Sequence, residues 1–257
     1  MPGVRLEWQT RGGVPLLLAR GSGAAVAFTT RQGGVSRGGF RSLNLGFATP
    51  DDAAAVAENR RRALVAAGAD PALALSLRQV HGNVVLEAAP GPAGAYLTPA
   101  TAWPEADALV TSEPGLPLVA HGADCLTVAL VAAGAGRVAT VHAGWRGLVA
   151  GVVEAAADRV GSGFSAVIGP GAGACCYEVG EDVAAPLRER FGDAAVTAGR
   201  ADLAACAERA LERSGAGVVV NSRLCTICGP EWFHSHRRDG RDSGRQAVIA
   251  YIEEERA

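Results

Sequence analysis

The feature that most limits how this chain can fold is a series of short apolar runs with too few helices between them. Residues 24–29, 84–87, 108–111, 118–121, 126–131, 138–142, 166–168, 218–221 and 247–252 are rich in Val, Ile, Leu and Ala and lie between glycine, proline or polar residues. That is the pattern of short, buried β-strands. A sheet built only of parallel strands needs a crossover, usually a helix, for nearly every strand. Here strands outnumber helices and do not alternate with them one for one. The pattern predicts an α+β fold, with a mixed sheet or two stacked sheets covered by helices.

Four segments carry helical spacing. Asp51 and Asp52 follow Pro50 and can cap a helix with an apolar face of Val56, Ala57, Leu64 and Ala67, ended by Gly68. Arg60, Arg61 and Arg62 fall inside it and read as a solvated face. A second helix is expected after Gly147, where Leu148, Val149, Val152, Val153, Ala156 and Val160 keep the period and Gly161 stops it. A third spans about 202–214, with Leu203, Cys206, Ala210 and Leu211 inward. Residues 181–191 also read as helix, kinked or late-starting because of Pro186. The Pro/Gly-rich stretch 89–104 reads as a surface loop, so residues 1–257 are taken as one domain.

Composition narrows the function classes. With 49% hydrophobic residues, 257 positions suffice for a sizeable core. A net charge of −2 gives no global basic field for nucleic acid or an anionic membrane. The most apolar stretch, 116–133, is interrupted by Pro117, His121 and Asp124, so no membrane span is expected. Arg5, Glu7 and Arg11 precede only a short apolar run at 14–19, which is too little for a secretory signal. A cytoplasmic protein with reduced thiols is the expectation for the six cysteines.

Several polar residues stand where buried strands meet turns. His142 ends an apolar run, and Gly144 and Gly147 follow it. Functional side chains often sit at such handovers, and so do hydrogen-bonded core histidines. Asp124 beside Cys125 is a carboxylate between two apolar strands, costly unless paired or working. His81, with Arg78 and Gln79, precedes another strand, and His121 competes with it by its nearness to Cys125. Cys225 and Cys228 form half of a structural zinc pattern without an evident second pair, unless His234 and His236 complete it. Adjacent Cys175 and Cys176 are a poor geometry for one tetrahedral metal, so both pairs read as thiols lining a core or pocket edge. The glycine-rich stretch 169–173 lacks the lysine of a P-loop, and Pro170 spoils a dinucleotide fingerprint. The turn from Arg31 to Ser36 offers an arginine, a hydroxyl and free amides that suit phosphate, or an ordinary turn.

Five stretches together resemble one family. They are Thr-Arg-Gln-Gly-Gly-Val-Ser at 30–36 with Leu-Asn-Leu-Gly at 43–46, Arg-Gln-Val-His at 78–81, Ala-Asp-Cys at 123–125 with Val-His-Ala-Gly-Trp-Arg-Gly at 141–147, Ile-Gly-Pro at 168–170 with Cys-Tyr-Glu-Val at 176–179, and Ser-His-Arg-Arg-Asp at 235–239 with Gly-Arg-Gln at 244–246. From about residue 25 to 252 the chain resembles the laccase-domain, or multicopper polyphenol oxidase-like, family. Its members are described as purine nucleoside phosphorylases with adenosine deaminase activity. The resemblance implies a layered α/β/β/α fold with mixed sheets. It also implies a Zn2+ ligated by His81, Cys125 and His142, with Cu2+ able to occupy the same ligands. Departures from the family's usual residues fall at His121, Gly122, Thr127, Ala172 and His236.

On that resemblance the expected activity is zinc-dependent phosphorolysis of adenosine, inosine or methylthioadenosine to free base and ribose 1-phosphate, with adenosine deamination as a further activity. Two nitrogens and one thiolate leave a tetrahedral zinc with one open position, the catalytic pattern. Asp124 is the expected proton shuttle. Arg31, Ser36 and Arg146 are expected at phosphate or ribose, with Asn44 and Gln79 as polar orienters. The expected partners are nucleosides and phosphate, with no nucleic acid and no membrane, in a monomer or homodimer. The rivals are a copper-dependent polyphenol oxidase, a hydrolase using Cys125 as nucleophile, and a non-catalytic metal-bearing module. Five histidines and a single methionine, Met1, are few for multicopper chemistry.

Overall fold

The computed structural model describes residues 5–21, 23–99 and 103–254. In chain order the first half holds β1 (Leu6–Arg11), β2 (Val14–Gly21), β3 (Ala24–Thr29), α1 (Ala53–Ala67), β4 (Val85–Glu87), β5 (Ala108–Thr111), β6 (Leu118–Gly122) and β7 (Leu126–Val131). The second half holds β8 (Val138–Ala143), α2 (Trp145–Ala150), α3 (Val152–Val160), β9 (Ser165–Ile168), α4 (Glu181–Phe191), β10 (Val196–Thr197), β11 (Arg200–Ala201), α5 (Leu203–Arg213), β12 (Val218–Asn221), α6 (His236–Asp239) and β13 (Gln246–Ile252).

One sheet has the order β1-β2-β3-β13-β6 and is antiparallel throughout. The other has the order β12-β9-β7-β8-β5-β4, with parallel pairs at its two edges and antiparallel pairs between. β10 and β11 form a small separate ladder. The alternation of side chains along each strand sorts the apolar residues into three cores. Leu126, Val128 and Leu130 of β7 and Val141 of β8 meet α3, α4 and α5. Ala129, Val131 and Val138 face Phe28, Leu118 and Val248 of the other sheet. Leu16, Ala27 and Ile249 pack on Ala63, Leu64 and Ala67 of α1. Three cores between four layers make the expected α/β/β/α arrangement.

Local signals held at several ends. The Asp52 carboxylate accepts from the Ala54 amide, and Gly68 closes α1 in the left-handed region. Asp202 caps α5 in the same way. Other expectations are corrected. The single helix expected after Gly147 begins at Trp145 and is split by Gly151 at φ +87°, so α2 and α3 are distinct. α4 starts on time at Glu181 and carries Pro186 inside. The apolar run at 14–19, absent from the expected strands, is most of strand β2. Its partner β1, at the sheet edge, has only half-buried and exposed residues, which hides it from a search for apolar runs. The stretch 89–104 is less of a surface loop than expected, because Tyr96 within it is buried; its residues 100–102 lie outside the described residues. Arg60 is also buried, not solvated as expected from its cluster. No helix among the described residues is long and apolar enough to cross a membrane.

Candidate metal centre and its cavity

β-pairing brings distant side chains to one point. In the β7–β8 ladder Thr127 lies opposite His142 and Leu126 opposite Ala143, so Cys125, just before β7, reaches the end of β8. In the β5–β8 ladder Ala108 lies opposite Val141, which places Asp107 beside His142, and the His142 amide donates to the Asp107 carbonyl at 2.8 Å. The Asp107 carboxylate accepts from His142 Nδ1 at 2.8 Å. It also accepts from the amides of His81 at 2.9 Å and Gly82 at 2.6 Å. One carboxylate thus fixes the His142 ring and the turn carrying His81, a residue held at φ +63°. Such a backbone conformation persists only where its surroundings enforce it.

The donor atoms of His81, Cys125 and His142 all lie within 4.8 Å of one another. Because Nδ1 of His142 faces the Asp107 carboxylate, Nε2 is the nitrogen left to ligate a metal once its proton is displaced, as in metal-ligating histidines. Gly144 lines the gap. A Cβ there would stand 2.8 Å from Cys125 Sγ and 3.2 Å from His81 Cδ2, so only glycine fits. The donor set of two imidazoles and one thiol, with an acceptor behind one ring, suits a soft or borderline divalent metal. Burial opposes charge on Cys125, but His142 and His81 outweigh it and bring its pKa down to about 6. Burial likewise opposes charge on His142, while Cys125 and Asp107 raise it to about 9.

The three residues open into a cavity of about 780 Å³. Arg60, Arg245, Phe47, Trp103 and His121 also line it. The Arg60 guanidinium lies 4.1 Å from the centroids of both Phe47 and Tyr96. It donates to the carbonyls of Leu45 at 2.7 Å and Tyr96 at 2.6 Å. His121 is joined to the Tyr96 hydroxyl through Nε2 at 2.9 Å. Burial and the positive charge of Arg60 keep its pKa well below the ordinary histidine value.

Of the expected substrate contacts, Gln79 lines the cavity, where its amide oxygen and nitrogen pair with the backbone of His121. Arg31, Ser36, Asn44 and Arg146 are not among its lining residues. Arg31 donates to the carbonyls of Arg41, Gly39 and Pro230. Ser36 donates to Asp51 at 2.6 Å and accepts from Asn59 at 2.8 Å. Buried Asn44 ties Thr49, Asp51, Gly46 and Arg245 together. Arg146 is exposed and stacks on Trp145 at 4.3 Å. Arg31, Ser36 and Asn44 brace the loops around the site. Asp124 does the same: one oxygen accepts from the Thr226 hydroxyl at 2.7 Å and the other from the Arg237 amide at 2.6 Å. Both oxygens of the expected proton shuttle are engaged by fixed protein donors.

A family model described as multi-copper polyphenol oxidoreductase laccase matches residues 25–253. The chain belongs to that family. A protein of Xylella fastidiosa named purine nucleoside phosphorylase is 40% identical over 245 residues, covering 90% of this chain and 93% of its own. One of Deinococcus radiodurans with the same name is 39% identical, covering 93% of this chain and 94% of its own. The crystal structure of YlmD from Geobacillus stearothermophilus superposes with a TM-score of 0.87 at 30% identity, covering 98% of this chain and all of that one.

Within this laccase-type family frame, the three residues implied as ligands by resemblance are the three whose donor atoms converge. Asp107 was missed, although like Asp124 it is a carboxylate placed at the start of an apolar strand. Arg245 falls within the Gly-Arg-Gln stretch at 244–246 but was not singled out there, and Arg60, Phe47 and Trp103 gave no site signal, since each lies in a different segment. Cys175, Cys176, Cys225 and Cys228 were expected to line a core or a pocket edge; none is fully buried, none lines the cavity, and the four gather elsewhere.

Proposed function

We propose that this chain is a metal-dependent purine nucleoside phosphorylase, with zinc held by His81, Cys125 and His142. Its substrates are inosine, adenosine or methylthioadenosine, split by phosphate to free base and ribose 1-phosphate. The observation that carries this reading is one cavity that holds the N,N,S donor set, guanidinium groups and aromatic rings together. The names of the relatives support it.

The cavity is within the range of roughly 300–1,000 Å³ typical of small-molecule sites. Phe47 and Trp103 offer apolar faces to a purine. Arg245, backed by the carbonyls of Ser243 and Gly244, offers its positive charge to phosphate. Arg78, which also lines the cavity, offers a second. His236 donates from Nδ1 to the Gly240 carbonyl at 2.9 Å, so Nε2 can accept from a ribose hydroxyl or a base N–H. In phosphorolysis a phosphate oxygen bonds to C1′ as the C1′–N9 bond breaks, and its electron pair passes to the base. The chain's task is to hold phosphate in line and steady the charge moving onto the purine. Zinc held by these three residues would supply Lewis acidity, which also suits deamination of adenosine at the same place. Asp107 holds His142 and the His81 turn, and Asp124 braces the turn that carries Cys125.

The test is turnover of inosine and adenosine by protein of known metal content, with and without phosphate. Hypoxanthine and ribose 1-phosphate from inosine only with phosphate is the expected result. Inosine and ammonia from adenosine without phosphate would mark deamination. Oxidation of a phenol by copper-loaded protein that turns over no nucleoside would overturn the reading.

A further inference from the structure

Outside the cavity, Cys175, Cys176, Cys225 and Cys228 bring their sulfurs within 4.8 Å of one another. They come from two loops, one after β9 and one after β12, that are laced together. The Gly171 amide donates to the Leu224 carbonyl, and the Thr226 amide returns a bond to the Gly171 carbonyl at 2.9 Å. Gly173 allows the close approach: a Cβ there would stand 3.1 Å from Cys225 Cβ and 3.3 Å from Cys175 Sγ. The Gly173 amide donates to Cys225 Sγ at 3.3 Å, and the amides of Ile227 and Cys228 reach the same sulfur. Amides converging on a sulfur favour its thiolate form. Cys225-x-x-Cys228 has the spacing of half a structural zinc site. The other half is Cys175 and Cys176, a pair whose adjacency argues against a shared metal in the sequence alone but whose sulfurs the fold brings within 4.8 Å of each other and of the Cys225–Cys228 pair.

We propose that these four cysteines bind one structural Zn2+ that locks the two loops together. A regular ZnS4 tetrahedron with Zn–S of about 2.3 Å has edges of about 3.8 Å. Cys175 Sγ and Cys228 Sγ are 3.7 Å apart, an edge of that length and well beyond a disulfide bond of about 2.05 Å. An iron–sulfur cluster would spread its cysteines over several metal atoms, and sulfurs this close suit a single ion. Binding releases the protons that the four thiols still carry, with no redox change, and leaves the site at a charge of −2. Arg200, which donates to the Cys175 carbonyl at 3.2 Å, and Arg238, which donates to the carbonyls of Thr226 and Ile227, bring positive charge to the same two loops. The lock has a consequence for the cavity. Thr226 lies between the two zinc-binding cysteines of its loop and donates to Asp124, next to Cys125.

The test is made in His81→Ala/His142→Ala protein, so that it stands apart from the metal centre proposed above. Metal analysis of this variant should give one zinc per chain. Adding Cys225→Ser and Cys228→Ser should reduce that to none. If the quadruple variant does not fold, cobalt added to the zinc-stripped histidine variant provides a second reading. A strong sulfur-to-cobalt charge-transfer band of a tetrathiolate is expected. Absence of both retained zinc and this band overturns the proposal. So does iron with acid-labile sulfide, or fewer than six titratable thiols in unfolded, unreduced protein, which would signal a disulfide.

Discussion

At the scale of single residues, the pair Cys125 and His142 is the most informative. In metal-free protein the thiol is held at about 6 and the imidazole at about 9. Between those values the folded pair exists as thiolate and imidazolium. Alkylation of Cys125 by iodoacetamide after metal removal should rise with pH around a midpoint near 6. In His142→Asn, which removes the attracting charge, the midpoint should move up. Mass mapping distinguishes this residue from Cys206, whose thiol burial pushes up to about 12 and which should stay unmodified at neutral pH. Above 6.5 the folded His142 binds more protons than the unfolded one, and its contribution to stability is lost as pH rises through about 9. The Cys125 contribution has the opposite sign, present at high pH and lost as pH falls through about 6. The two offset each other, so metal-free stability should change little between those limits. Asp107 acts one step behind the donors. Asp107→Asn should weaken metal affinity by roughly 10–100-fold while the chain stays folded, as removal of a carboxylate behind a ligating histidine does. Competition against a chromophoric chelator reads that change.

At the scale of elements, glycines decide where helices stop and how closely loops approach. Gly151 separates α2 from α3 in a left-handed conformation, and a Cβ there would stand 3.0 Å from Arg190 Nη2. That arginine is bonded to Glu154 at 2.7 Å, tying α4 to α3. Gly151→Ala should therefore cost about 1–2 kcal/mol from backbone conformation alone. Gly151→Asn should cost less, because asparagine tolerates this region. Thermal unfolding of the two variants side by side checks the order. The split could not be read from the apolar period, because Leu148 and Val149 keep step with Val152 and Val153 across the break. A glycine within a helical pattern is compatible with either a continuous or a broken helix.

At the scale of the whole molecule, the two sheets are held face to face by a core in which Phe28 is buried. Phe28 of β3 packs where Gly169, at the end of β9, leaves room; a Cβ at Gly169 would collide with its ring. Phe28→Ala should cost about 3–5 kcal/mol, read as a lower urea midpoint. Gly169→Ala should destabilise the wild type but cost less in Phe28→Ala, where its methyl enters vacated space. Additive losses would show that the two sheets are not coupled at this point.

Short apolar runs fixed most strand positions, because burial on both faces leaves a signature that needs no partner to be seen. Asp52, Gly68 and Asp202 marked helix ends, because capping is a local interaction. The α+β class followed from counting elements. The edge strand β1 and the buried state of Arg60 were invisible, since both depend on what packs against them. The same division holds for the site. The residues and motifs around His81, Cys125 and His142 are in the sequence, but they converge only because β7, β8 and β5 pair in one register. Asp107 as their shared brace and four cysteines as one cluster are likewise products of pairing and loop lacing. Sequence determined the local conformations and their apolar faces. Tertiary structure alone decided which polar groups meet, because contact across a sheet is set by register between strands remote in the chain.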